Sequence, residues 1–199
     1  VLVNTAGGVA VRDRFAVSID AGEGTAVTLT TAAAEKVYRS DSDPALIDVT
    51  LRVQANAHLA WLPQETILFD QAKLSRRFDI DLAAGASLLL AEIVVFGRTA
   101  MNEQMMRGVY TDRWRVRRDG RLIFAETLRL DGDIADKLAQ PAIAGGANAI
   151  STVLILPGTD ATVQRNREAP PLFPGADCVS ACTGFALPRS FAYDPAGPR

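Results

Sequence analysis

Two carboxylates stand where an acid is costly. Glu92 lies in LLLAEIVVFG (Leu88–Gly97) and Glu126 in LIFAETL (Leu122–Leu128), and both runs are otherwise almost wholly apolar. A lone carboxylate among such neighbours is expensive to bury unless a cation, a hydrogen-bond donor or water accompanies it. Three arrangements meet that need. One is a structural ion pair with an arginine, another an acid–base pair in an open cleft, and the third the lining of a pocket or channel that receives a positive group.

Other reactive residues are few. His58 is the only histidine, which excludes a histidine-rich metal cage and favours a strand-face residue over a catalytic base. Cys178 and Cys182 could chelate a soft metal, but no second ligand pair accompanies them. The chain has no P-loop lysine motif, no HExxH and no GxSxG, and Gly22-Glu23-Gly24 reads as a turn. Lys plus Arg number 21 against 23 Asp plus Glu, so no strong field draws the protein to nucleic acid or an anionic membrane. The two cysteines and the lack of a signal-peptide pattern fit a cytoplasmic location.

The elements that must hold these residues are strands. In ALIDVTLRVQA, Ile47, Val49, Leu51 and Val53 share one face, opposite Asp48, Thr50, Arg52 and Gln54. RRFDIDLAAG repeats the pattern with Phe78, Ile80 and Leu82. RWRVRRDGRLIFAETLRL alternates, turns at Asp119-Gly120 and returns, which predicts a hairpin. On the same alternation Glu92 shares a face with Leu88, Leu90, Val94 and Phe96, and Glu126 with Leu122, Phe124 and Leu128.

Further turn signals at Gly22–Gly24, Asp43-Pro44, Ala84-Gly85 and Asp131-Gly132 set short strands at close spacing, as in sandwiches, barrels and solenoids. No repeat of fixed length is visible. Two short helices are expected, one in DIADKLAQ before Pro141 and one in DATVQRNREA (Asp160–Ala169). One domain over 1–168 is expected, followed by a Pro-rich irregular or diverged tail over 169–199, which holds six of the ten prolines. The chain opens on VLVNTAGG without an initiator Met, which points to a missing N-terminal segment.

WLPQETILFD (Trp61–Asp70) crowds large apolar groups around Pro63, a residue that confines a strand to an edge or a break. Trp61, Leu62, Gln64, Glu65 and Phe69 therefore mark either a core corner or a partner-binding patch.

Four segments together resemble the urease accessory protein UreD (UreH) family. NTAGGVAVRDRF (Asn4–Phe15) resembles the family's NTAGG-x-x-GGDR opening, and TLTTAAAEKVYRS (Thr28–Ser40) its TTQAA-x-K-x-YRS segment. AHLAWLPQETILFDQA (Ala57–Ala72) is similar to LEWLPQE-x-I-x-F, and Glu92–Leu130 resembles the GR-x-x-x-GE stretch with the acid-bearing hairpin after it. The order and spacing agree from about Val1 to Ala161. The chain departs from the pattern at Val11-Arg12 and at Asn102, where the family has glycine.

The resemblance implies an all-β, superhelical or solenoid-like stack of short antiparallel strands with two short helices. It implies a non-enzymatic urease maturation factor. Such a scaffold binds apo-urease and UreF, and through UreF the GTPase UreG, and guides nickel into the urease active site. It holds no tightly bound cofactor, only nickel in transit, and Asp13, Glu92 and Glu126 correspond to acidic positions along the path. Carboxylates and water hold nickel(II) loosely, which suits transfer better than storage. A β-rich enzyme using Glu92 and Glu126 as an acid–base pair, and an inert diverged paralogue, are the alternatives.

Overall fold

The computed structural model describes residues 1–158 and the course of the backbone over 177–182 and 184–192. Its strands wind as coils. The first coil runs through β1 (Arg14–Ala21), β2 (Ala26–Leu29) and β3 (Glu35–Val37), and the second through β4 (Ala45–Val53), β5 (His58–Trp61) and β6 (Thr66–Leu68). The third comprises β7 (Lys73–Leu82) and the long β8 (Ser87–Arg98), which pairs with β5 through its first half and with β6 through its second. A 3-10 turn (Thr99–Met101) and β9 (Glu103–Gln104) reverse the chain into β10 (Arg107–Arg118) and β11 (Arg121–Asp133). After the helix α1 (Ile134–Ala139) come β12 (Ala149–Gly158), β13 (Asp177–Cys182) and β14 (Gly184–Ala192).

Two walls result. One is a five-stranded sheet in the order β1-β4-β7-β10-β11, and the other follows β13-β14-β12-β8-β5-β2, with β3, β6 and β9 joined to it. Turns at Gly22–Gly24 and Ala84-Gly85 carry the chain from one wall to the other, so they turn corners instead of closing hairpins.

The all-β, solenoid-like expectation holds, but the strands of the coils pair in parallel, not antiparallel. A coil that returns to its starting wall arrives in its original direction, so its neighbours run alike. Antiparallel pairing appears where the chain reverses. One case is β10–β11, whose turn places Asp119 and Gly120 at φ of 48° and 76°, as the Asp-Gly signal predicts. The coil repeat escaped the sequence because its step varies. Ala26 pairs with His58, 32 residues on, whereas His58 pairs with Ser87, 29 residues on. Register preserves the inward parity of each position and not its identity, as in the row Val17, Val49, Phe78, Trp114.

The interior between the walls holds two apolar clusters. One gathers Val49, Leu51, Trp61, Phe78, Ile80, Leu88, Leu90 and Leu154. The other gathers Val37, Leu68, Leu74, Val94, Phe96, Tyr110, Leu130 and Ile134. Fully burying a side chain such as Phe78 contributes roughly 1.5–3 kcal/mol, and edge-to-face contacts link it to Trp61 and Trp114 at 6.0 and 5.5 Å between centroids.

Of the expected helices, DIADKLAQ forms α1 with Ile134 and Leu138 buried, and Asp160–Ala169 lies outside the described residues. Over 177–182 and 184–192, β13 and β14 form an antiparallel pair that extends the second wall beside β12.

Candidate functional site

Between the two apolar clusters runs a charged row. Register aligns Phe15, Ile47, Arg76, Asp112 and Leu128 across the first wall, and places Glu92 opposite Thr152 on the second. Arg76, Glu92 and Asp112 have side chains only 5%, 4% and 9% exposed. Arg76 Nε and Nη2 donate to Asp112 Oδ1 and Oδ2 at 3.2 and 2.7 Å, the forked geometry that guanidinium and carboxylate favour. Its Nη1 donates to Glu92 Oε2 and, at 3.4 Å, to Thr66 Oγ1, and Nη2 reaches Tyr110 Oη at 3.0 Å. The Tyr110 hydroxyl in turn donates to Asp112 Oδ2 at 3.0 Å.

Glu92 is held from a second side by Trp61, whose Nε1–H donates to Oε1 at 2.7 Å. The break at Pro63 makes this possible. Trp61 pairs with Leu90 and Thr66 with Val94, so β8 has no strand partner on that side at Ala91, Glu92 and Ile93. Trp61 and Leu68 belong to the core and Gln64 is exposed; Leu62, Glu65 and Phe69 are half-buried. The corner reading therefore holds for Trp61.

Burial pushes the Glu92 carboxyl above the usual glutamate range, and the Asp112 charge pushes it the same way against the pull of Arg76 and Trp61. Burial also opposes the charge of Arg76, but Asp112 and Glu92 outweigh it and hold the guanidinium well above its ordinary pKa. Burial likewise drives the Tyr110 phenol well up.

Glu126 is half-buried on the inward face of β11, and it lines the same small cavity as Glu92, Asp112 and Thr152. That cavity is about 20 Å³, room for about one water. On the other side of the Arg76–Glu92 pair lies a cavity of about 630 Å³, walled by Phe15, Val17, Ile47, Val49 and Phe78 and open along the first coil. Leu122 falls outside the inward face expected for it and is exposed, because a bulge after Val116 shifts the hairpin register.

Asp13 stands apart from both cavities. Its Oδ2 accepts the Ala10 N–H at 2.7 Å in the turn before β1, while neighbouring Arg12 pairs with Asp43 at the surface. Among the described residues, no three His, Cys, Asp or Glu side chains are grouped to hold a metal ion. His58 is an exposed strand-face residue with Nδ1 2.6 Å from Ser87 Oγ. The side chains of Cys178 and Cys182 lie outside the described residues.

The quoted segments meet around the larger cavity. Asn4 Nδ2 donates to Glu35 at 3.0 Å, Tyr38 Oη to the Gly7 carbonyl at 3.0 Å, and the Gln64 N–H to Thr31 Oγ1 at 2.9 Å. Burial raises the Glu35 pKa, against the Asn4 hydrogen bond. Arg98 stacks 4.1 Å from the Phe69 ring centroid and pairs with Glu103, which also accepts the Asp70 N–H at 3.1 Å. Those contacts tie the reversal between β8 and β9 to Phe69 and Asp70.

Arg76 and Asp112 were missed from the sequence, although the parity that singled out Glu92 also finds them. Arg76 falls in step with Phe78 and Ile80, and Asp112 with Trp114 and Val116.

These features define a class: a solenoid-like β protein with an ion-paired interior and a cavity along its first coil. The chain belongs to the UreD urease accessory protein family, which it matches over residues 1–195. It is 64% identical over 197 residues to urease accessory protein UreD 3 of Bradyrhizobium sp. strain BTAi1, covering 99% of this chain and 71% of that protein. UreD of Rhodopseudomonas palustris strain BisA53 is 63% identical over 192 residues, 96% of this chain and 67% of that one. The first relative's match extends over almost the whole chain, so it includes most of the stretch beyond 168.

Proposed function

We propose that this protein is a non-enzymatic scaffold of urease maturation that binds apo-urease and UreF, with UreG joining through UreF, and guides nickel toward the urease active site in the cytoplasm. The observation that carries the path is the shared cavity of Glu92 and Glu126, with Glu92 also at the floor of the larger one. Glu92 and Glu126, brought together with Asp112 around one small cavity, would make a weak contact for a divalent ion, suited to release. An acid–base pair acting on a substrate needs more room than about 20 Å³ between them. Asp13, half-buried at the turn into β1, would serve nearer the surface. Gln64 and half-buried Leu62, Glu65 and Phe69 are the candidates of the Pro63 corner for partner contact.

The test is complementation of cells that lack their own UreD. The Glu92→Gln/Glu126→Gln protein is expected to lower nickel-dependent urease activation at least several-fold while still co-purifying with UreF. Unchanged activation would overturn the path, and failure of the parent chain to co-purify with UreF would overturn the scaffold.

A further inference from the structure

Two cavities meet at one ion pair. Among the described residues Arg76 and Glu92 are the side chains that line both the cavity of about 630 Å³ and that of about 20 Å³. The guanidinium bridges Glu92 on one wall and Asp112 on the other, so it spans the interior from side to side. The nickel path proposed above would therefore cross a point already occupied by a positive charge.

We propose that Arg76 is the gate of this path. A divalent cation crosses by taking the guanidinium's place on Glu92 and Asp112. This rests on the path reading and adds its control point.

Charge supports the exchange. When ionised, two carboxylates face one guanidinium, which leaves one surplus negative charge in a buried setting. A divalent ion would balance both carboxylates, whereas a monovalent ion would only replace like with like. Geometry supports it too. The larger cavity lies beside Arg76 and gives a displaced side chain somewhere to go. Glu92 sits where β8 lacks a strand partner, so its own adjustment breaks no ladder on that side. Trp61 would keep its hydrogen bond to Oε1 while Oε2 changes partner.

The experiment measures nickel(II) binding to the purified 199-residue chain by equilibrium dialysis with nickel chloride. Arg76→Gln removes the competing charge and is expected to bind nickel at least tenfold more tightly than the parent. The Arg76→Gln/Glu92→Gln/Asp112→Asn protein is expected to lose that gain. Arg76→Lys keeps a charge in the interior but presents no fork for two carboxylates, and it carries the test if Arg76→Gln does not fold; a gain of several-fold is expected. Unchanged affinity in a folded variant of either kind overturns the gate. Loss of activation in the Glu92/Glu126 variant alongside unchanged affinity in the Arg76 variants would leave the path standing without a gate. Unchanged activation in the former would remove the path itself.

Discussion

The first and third coils are built on the same alternation and treat their interiors differently. In the third, Phe78, Ile80, Leu88 and Leu90 are at most 2% exposed, and Arg76 and Glu92 are buried among them. In the first, Val17, Ile19, Val27 and Leu29 are only partly buried, and the charged group nearest the interior is half-buried Glu35. Among the described residues, β7 and β8 have strand neighbours on both sides while β1 and β2 have one each. Coverage alone would favour apolar side chains in the enclosed coil, because a buried ion pair contributes little net stability and well-packed hydrophobes do as well or better. The charges sit where they are hardest to accommodate. That placement is what the proposed ionic path would require, and stability alone does not call for it.

Truncation separates the two coils most sharply. Arg76→Ala leaves Glu92 and Asp112 buried without their cation and is expected to cost about 3–5 kcal/mol in urea unfolding. Val17→Ala removes two methyl groups from a half-buried site and is expected to cost below about 1 kcal/mol. Similar losses at the two positions would mean that the third coil is no more committed than the first, and the contrast would fail.

A smaller effect tests the charge state. The folded-state pKa of Glu92 lies above that of an ordinary glutamate. Between those two values the unfolded chain holds fewer protons than the folded one, so Glu92 contributes stability at low pH that is lost as pH rises through the window. Glu92→Gln removes this contribution. The stability difference, parent minus variant, is therefore expected to fall as pH rises from the ordinary glutamate value, and to level off above the raised one. A difference that rises with pH would show that Arg76 and Trp61 dominate burial at this carboxylate.

The strand faces were legible because inward parity survives every coil: Val49, Leu51, Phe78 and Ile80 are all buried as the alternation requires. The coil itself was not legible, since a step that changes from 32 to 29 residues leaves no fixed repeat, and turn signals do not say whether a chain reverses or turns a corner. Glu92 was visible because an acid among leucines breaks a local pattern. Arg76 stands in RRFDID, where charges flank every apolar residue, so its inward position does not stand out. Its pairing with Glu92 and Asp112 depends on strands 16 and 36 residues away, a relation that only the fold creates.

The smallest effect concerns how each coil is entered. The turn into β8 has Gly85 at φ +71°, a conformation that glycine adopts freely. The turn into β1 has Arg12 at φ 62°, and the β9 reversal has Asn102 at φ 53°. Both stand where the motifs that carry the family resemblance have glycine, and in this chain the backbone there is left-handed. Asn tolerates it through its short polar side chain, whereas arginine bears the full Cβ penalty. Arg12→Gly gives up the Arg12–Asp43 pair, whose side chains are 67% and 74% exposed and which solvent screens. The strain relieved outweighs the added freedom of the unfolded chain, so a gain of about 0.5–1 kcal/mol is expected. Asn102→Gly is expected to change stability by a few tenths of that scale. Urea unfolding of the two variants decides the matter: no gain, or a loss, at Arg12 would show that the entrance to the first coil is not strained.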